Sequence, residues 1–132
     1  MIEEIIGENN LLLAIIIRSS FSNDGVNFIT QQDNYLQVGI LTHKQGNKIK
    51  PHFHKNILRE INYTQEVLHI EYGKIEASFY QNKKIVRNCS LNSGDTIILI
   101  QGGHGFNIIE DTKMIEIKQG PYIDPSKDKE LI

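Results

Sequence analysis

The chain has 132 residues, with 14 basic against 16 acidic side chains and a formal net charge of −2. That length suits one domain with one core, and the near-balanced charge excludes the dense basic surface that nucleic acid or an anionic membrane selects. Cys89 is the only cysteine, so an intrachain disulfide is excluded and a reducing cytoplasm is the expected compartment.

Met1–Gly7 reads as a short helix or an initial strand. The apolar run Leu11–Ile17 is too short to span a bilayer. It follows Glu3, Glu4 and Glu8 rather than a basic segment, which makes it a poor signal peptide, so a soluble intracellular chain is expected. Short β-branched runs then follow: Leu11–Arg18, Val26–Thr30, Leu36–His43, Lys48–His54, Glu66–Tyr72, Lys74–Gln81, Lys84–Leu91, Thr96–Ile100, Gly105–Ile109 and Met114–Lys118. Turn residues punctuate them, as at Asn23-Asp24-Gly25, Gln45-Gly46-Asn47, Asn92-Ser93-Gly94-Asp95 and Gly102-Gly103. This spacing predicts an all-β sandwich or barrel. No repeat, low-complexity stretch or linker interrupts it, so residues 1–132 are expected to form one domain with a tail over 119–132.

The strand Lys48–His54 carries the strongest chemical signal. Alternation puts Lys48, Lys50, His52 and His54 on one face and Ile49, Pro51 and Phe53 on the other. Two imidazoles on one strand face are a start for a metal site, and the lysines suit the polar floor of a ligand pocket. In Glu66–Tyr72, Glu66 opens a face continued by Leu68, Ile70 and Tyr72, while His69 points the other way. An inward carboxylate needs a metal or a cation as partner. His43 reads as a turn residue and Cys89 as a buried, inert thiol.

These residues resemble the cupin family of small β-barrels. Its first motif is matched by Gly46, five residues and His52-Phe53-His54, then by Glu66, six residues and Gly73. Between the halves stand eleven residues, Lys55–Gln65, where the family has three or four. Glu60 is the rival carboxylate and Gln65 a neutral one. The second motif is matched by Gly94-Asp95-Thr96 and His104-Gly105-Phe106, with its proline missing and its histidine one residue early. The resemblance covers roughly residues 36–118. It implies a double-stranded β-helix (jelly-roll) barrel, a homodimer, and a metal centre of His52, His54, Glu66 and His104. Three imidazoles and a carboxylate suit Fe, Mn, Ni, Co, Zn or Cu.

Lys50, Arg59, Tyr63, Gln65 and Phe106 are the candidate ligand contacts around that centre, for a sugar or a carboxylate. The leading expectation is a metal-dependent isomerase, lyase or dioxygenase acting on an oxygen-bearing small molecule. A second is a metal-free isomerase or epimerase of nucleotide-linked sugars in surface-polysaccharide pathways, with His52, His54 or His104 as base. The third is a non-catalytic sugar- or carboxylate-binding module. No nucleophile elbow, phosphate loop or dinucleotide fingerprint is present.

Overall fold

The structure, a computed structural model, describes residues 1–132. It is nearly all β, with strands β1 (Ile2–Ile6), β2 (Leu12–Ile17), β3 (Gly25–Phe28), β4 (Gly39–Thr42), β5 (Glu66–Tyr72), β6 (Lys74–Gln81), β7 (Lys84–Asn92), β8 (Thr96–Leu99), β9 (Gly103–Ile108) and β10 (Lys113–Lys118). A single helical turn, α1 (Pro125–Asp128), follows. Asp124 caps it, Oδ1 accepting the Ser126 N–H at 2.8 Å, and Pro125 occupies the first turn, where a missing N–H costs nothing. No helix is long and apolar enough to cross a membrane.

The chain divides into two compact units. Met1–Phe21 and Thr64–Ile132 form the first; Ser22–Tyr63 form the second, which holds the hairpin β3–β4. In the first unit, a five-stranded sheet runs β1-β2-β8-β5-β10 and a three-stranded sheet runs β7-β6-β9, every pairing antiparallel. The sheets stay separate, and no closed barrel forms.

Alternation explains how these two sheets meet. Ile5, Ala14, Ile16, Ile97, Leu99, Leu68 and Ile70 share one face of the five-stranded sheet; Ile75, Ala77, Phe79 and Leu91 share one face of the other. All belong to one buried cluster, the core of a β-sandwich. Each fully buried Ile, Leu or Phe there contributes about 1.5–3 kcal/mol relative to exposure. The opposite face of the five-stranded sheet is buried too, at Ile15, Ile17, Val67 and Ile98. Strands buried on both faces read as unbroken apolar runs, which is why β2 is Leu-Leu-Ala-Ile-Ile-Ile.

One open alternative resolves and two sequence expectations change. Met1–Gly7 resolves as a strand, because Ile2–Ile6 finds a full antiparallel partner in β2. The strand over Lys48–His54 does not form: no strand occurs between Thr42 and Glu66. Its β-branched and aromatic residues have no neighbouring ladder, and Pro51 lacks a donor to offer one. β9 starts at Gly103, so His104 lies within a strand rather than ahead of one.

Candidate functional site

The apolar lining of the sandwich turns polar at one end of β5. Glu66 stands opposite Leu99 of β8 and Lys118 of β10, so it continues the inward face of Leu68 and Ile70. His104 stands opposite Phe79 of β6 and shares that residue's inward face. The two sheets thereby deliver a carboxylate and an imidazole to one place. His104 Nε2 lies 3.4 Å from Glu66 Oε2, and Lys118 Nζ lies 4.0 Å from Glu66 Oε1.

Glu66 is only 7% exposed, and a lone carboxylate there would be costly. The hydrogen bond from His104 holds its carboxyl below the ordinary carboxylate range. Burial opposes that effect, and the charges of Lys118 and Lys129 reinforce it. The partner demanded by an inward carboxylate is thus met by an imidazole and an ammonium group. Phe106 packs against the core, with its ring centroid 5.5 Å from that of His104.

Gln65, expected in a loop over a pocket mouth, instead sits fully buried just before β5. Its backbone N–H donates to Gln119 Oε1 at 2.8 Å and its side-chain Nε2 to the Ile100 carbonyl at 3.3 Å. Lys118, Gln119 and Lys129 escaped the sequence reading. Lys118 had a signal, since it ends the alternating series Met114, Glu116, Lys118; Gln119 and Lys129 follow the last strand and had none.

The second unit holds the remaining candidates. His52 and His54 are exposed, with ring centroids 5.5 Å apart and the rings edge to face. His52 Nδ1 lies 2.8 Å from the Lys50 carbonyl oxygen. A carbonyl only accepts, so Nδ1 carries a proton and the neutral ring keeps its lone pair on Nε2. Lys50 therefore meets His52 through its backbone. Arg59 and Glu60 line a cleft of about 430 Å³ together with Gln32, Tyr35 and Gln37. Tyr63 packs its ring 4.6 Å from that of Tyr35. His43 Nδ1 takes the Asn47 side-chain amide at 2.7 Å, in keeping with a turn residue. Within neither unit are three or more His, Cys, Asp or Glu side chains grouped to hold a metal ion.

No protein-family model matches the chain, and neither a curated protein nor a solved structure is detectably similar to it.

Proposed function

We propose that this chain is a small-molecule β-sandwich of the jelly-roll (cupin) type, in which His104, oriented by Glu66, moves a proton on an oxygen-bearing substrate. The single observation supporting this reading is the 3.4 Å contact between His104 Nε2 and the buried Glu66 carboxylate. A carboxylate only accepts, so Nε2 carries the proton and the neutral ring keeps its lone pair on Nδ1. A carboxylate that fixes the tautomer of a histidine prepares it as a general base. Beside a substrate carbonyl, Nδ1 takes the proton of the adjacent C–H bond and leaves an enolate. Water protonating that carbon from the other face, with the His104 proton passing to the hydroxide left behind, gives epimerisation. Return of the proton to the former carbonyl carbon, with the neighbouring hydroxyl proton passing to the carbonyl oxygen, gives isomerisation. Lys118 contributes positive charge beside the pair, where a developing oxyanion is stabilised.

Keto forms of nucleotide-linked sugars are the first substrates to try, on the strength of the resemblance to cupins. The test is deuterium uptake at carbon from D₂O, followed by NMR, with and without a chelator. The proposal expects uptake that survives the chelator and is lost in His104→Gln. Uptake undiminished in His104→Gln sinks the base assignment; binding without any uptake leaves a non-catalytic sugar or carboxylate module.

A metal-dependent cupin is the second reading. It is favoured by the donation from His52 Nδ1 to a backbone carbonyl, the arrangement that orients ligating histidines. His52 and His54 would be ligands to the ion, which would supply Lewis-acid polarisation of a substrate oxygen. Metal content by elemental mass spectrometry tests it. Near-stoichiometric Fe, Mn, Ni, Co, Zn or Cu, lost in His52→Ala/His54→Ala, is its expected result. A homodimer belongs to both readings, and sedimentation velocity tests it.

A further inference from the structure

We infer that residues 129–132 form a lid across the end of the sandwich where Glu66 and His104 meet, a strap that lifts to admit substrate. Its foot lies at the start of β5, where Thr64 Oγ1 donates to Asp128 Oδ1 at 2.6 Å. Its tip lies on the three-stranded sheet. There Ile132 covers Gly103, the residue before His104, and a Cβ added at Gly103 would collide with Ile132 Cδ1. Packed sheets stand about 10 Å apart, and four residues of extended chain reach about 13 Å, so the tail spans the gap with little slack.

Alternation fixes the route of the tail. His104 faces inward with Phe79, so Gly103 and its partner Tyr80 face outward. Ile132 therefore sits on the outer face of its sheet. Lys129 belongs to the inner side: it lines a small cavity with Thr64 and Lys118, and Lys118 Nζ is 4.0 Å from Glu66. A chain that is inside at Lys129 and outside at Ile132 passes over the end of β9, beside His104. The charge of Lys129 lowers the Glu66 carboxyl, in keeping with that course. His104 keeps 32% of its side chain accessible, so the docked tail screens the pair without sealing it.

The tethers are weak, as a lid requires. Residues 130–132 make no backbone–backbone hydrogen bond. Glu130 meets Lys83 at 3.7 Å with both side chains largely in water, and such a pair holds little. Leu131 is 95% exposed. Ile132 is the remaining clasp, and it finds a seat only because Gly103 has no side chain. The φ of Gly103 is outside the left-handed region, so its backbone does not call for glycine. The consequence for turnover rests on the acid–base reading above; the docking of the tail does not.

The experiment measures carbethoxylation of His104 by diethyl pyrocarbonate in the full chain, by peptide mass spectrometry, with exposed His43 as internal reference. Nuclear Overhauser contacts between the Ile132 δ1 methyl and Tyr80 report docking, and wild type should show them. Gly103→Ala fills the seat with a methyl group, and Ile132→Ser removes the clasp. Each should abolish the contacts and speed His104 modification about three- to tenfold, with the His43 rate unchanged. Should Gly103→Ala not fold, Ile132→Ser, at an exposed position, carries the test. A wild type without the contacts overturns the lid, as does a His104 rate within about twofold of wild type once they are lost. Deuterium uptake separates the two readings. A lid without a base gives faster His104 modification and no uptake in any variant; a base without a lid gives uptake and an unaltered His104 rate.

Discussion

His104 in the three-stranded sheet reaches Glu66 in the five-stranded sheet, Nε2 3.4 Å from Oε2, and ties the two layers together where the core turns polar. The contact holds the Glu66 carboxyl below its ordinary value of 4.5 in the folded state. A depressed carboxyl contributes stability that is present above the unfolded value and lost as pH falls through the folded one. The urea midpoint should therefore fall as pH drops below about 4.5, and Glu66→Gln should flatten that part of the curve. Titrating the Glu66 carboxyl by ¹³C NMR checks the cause. His104→Gln should raise its midpoint, and a midpoint that stays put would assign the shift to Lys118 and Lys129 instead.

The opposite side of the sandwich depends on Asp95. Arg18 Nη1 donates to Asp95 Oδ2 at 2.9 Å and to the Ser90 carbonyl at 2.8 Å, while Arg18 Nε donates to Glu3 at 2.9 Å. Asp95, 3% exposed, also accepts the backbone N–H groups of Ser19 and Asn92, each at 2.9 Å. Asp95→Ala leaves the Ser19 and Asn92 amides without their acceptor and Arg18 with only Glu3 and the Ser90 carbonyl, and should cost about 2–4 kcal/mol of unfolding free energy. Asp95→Asn keeps one oxygen acceptor and should fall between wild type and Asp95→Ala. Urea unfolding at neutral pH measures both, and a loss below about 1 kcal/mol for Asp95→Ala would mean that water replaces the network.

Local pattern carried much of this fold. β5 and β6 occupy the residues expected of them, because alternation and the intervening Gly73 define them without reference to anything distant. The segment Lys48–His54 alternates as well, yet pairing needs a neighbouring strand, and a single stretch of sequence cannot say whether one arrives. The Glu66–His104 contact was legible in its members but not in its geometry. It depends on the registers of β5 with β8 and β10 and of β6 with β9, which span dozens of residues. Gln65 was misplaced for a related reason. A glutamine in a polar run reads as exposed until Gln119 and the Ile100 carbonyl are known to bind it.

Gly73 joins β5 to β6 at φ +99°, and a Cβ there would run into the Asp111 carbonyl oxygen and Thr112. Gly46 has a similar φ of +87° with open space around it. Gly46→Ala should thus cost only the left-handed penalty of about 1–2 kcal/mol. Gly73→Ala adds a clash with backbone and should cost at least about 2 kcal/mol more than Gly46→Ala. Thermal or urea unfolding of the two variants side by side gives the difference, and equal losses would mean that the Asp111–Thr112 turn yields freely.

The segment around His52 and His54 makes the last prediction. Phe53 is 86% exposed and Leu58 89%, in a stretch with no strand and no backbone–backbone hydrogen bond between Lys48 and Tyr63. Its amides should exchange with solvent at close to unprotected rates, whereas Leu68 and Ile97, paired in the centre of the five-stranded sheet, should be among the slowest. Hydrogen exchange by NMR reads each amide separately. Two large apolar side chains left this open are unusual on a soluble surface, so concentration is the informative variable. Protection of residues 49–58 that grows with protein concentration would show that a second copy supplies the missing ladder. Protection that is strong and independent of concentration would instead require a strand inside the single chain, and would contradict the described conformation of this segment.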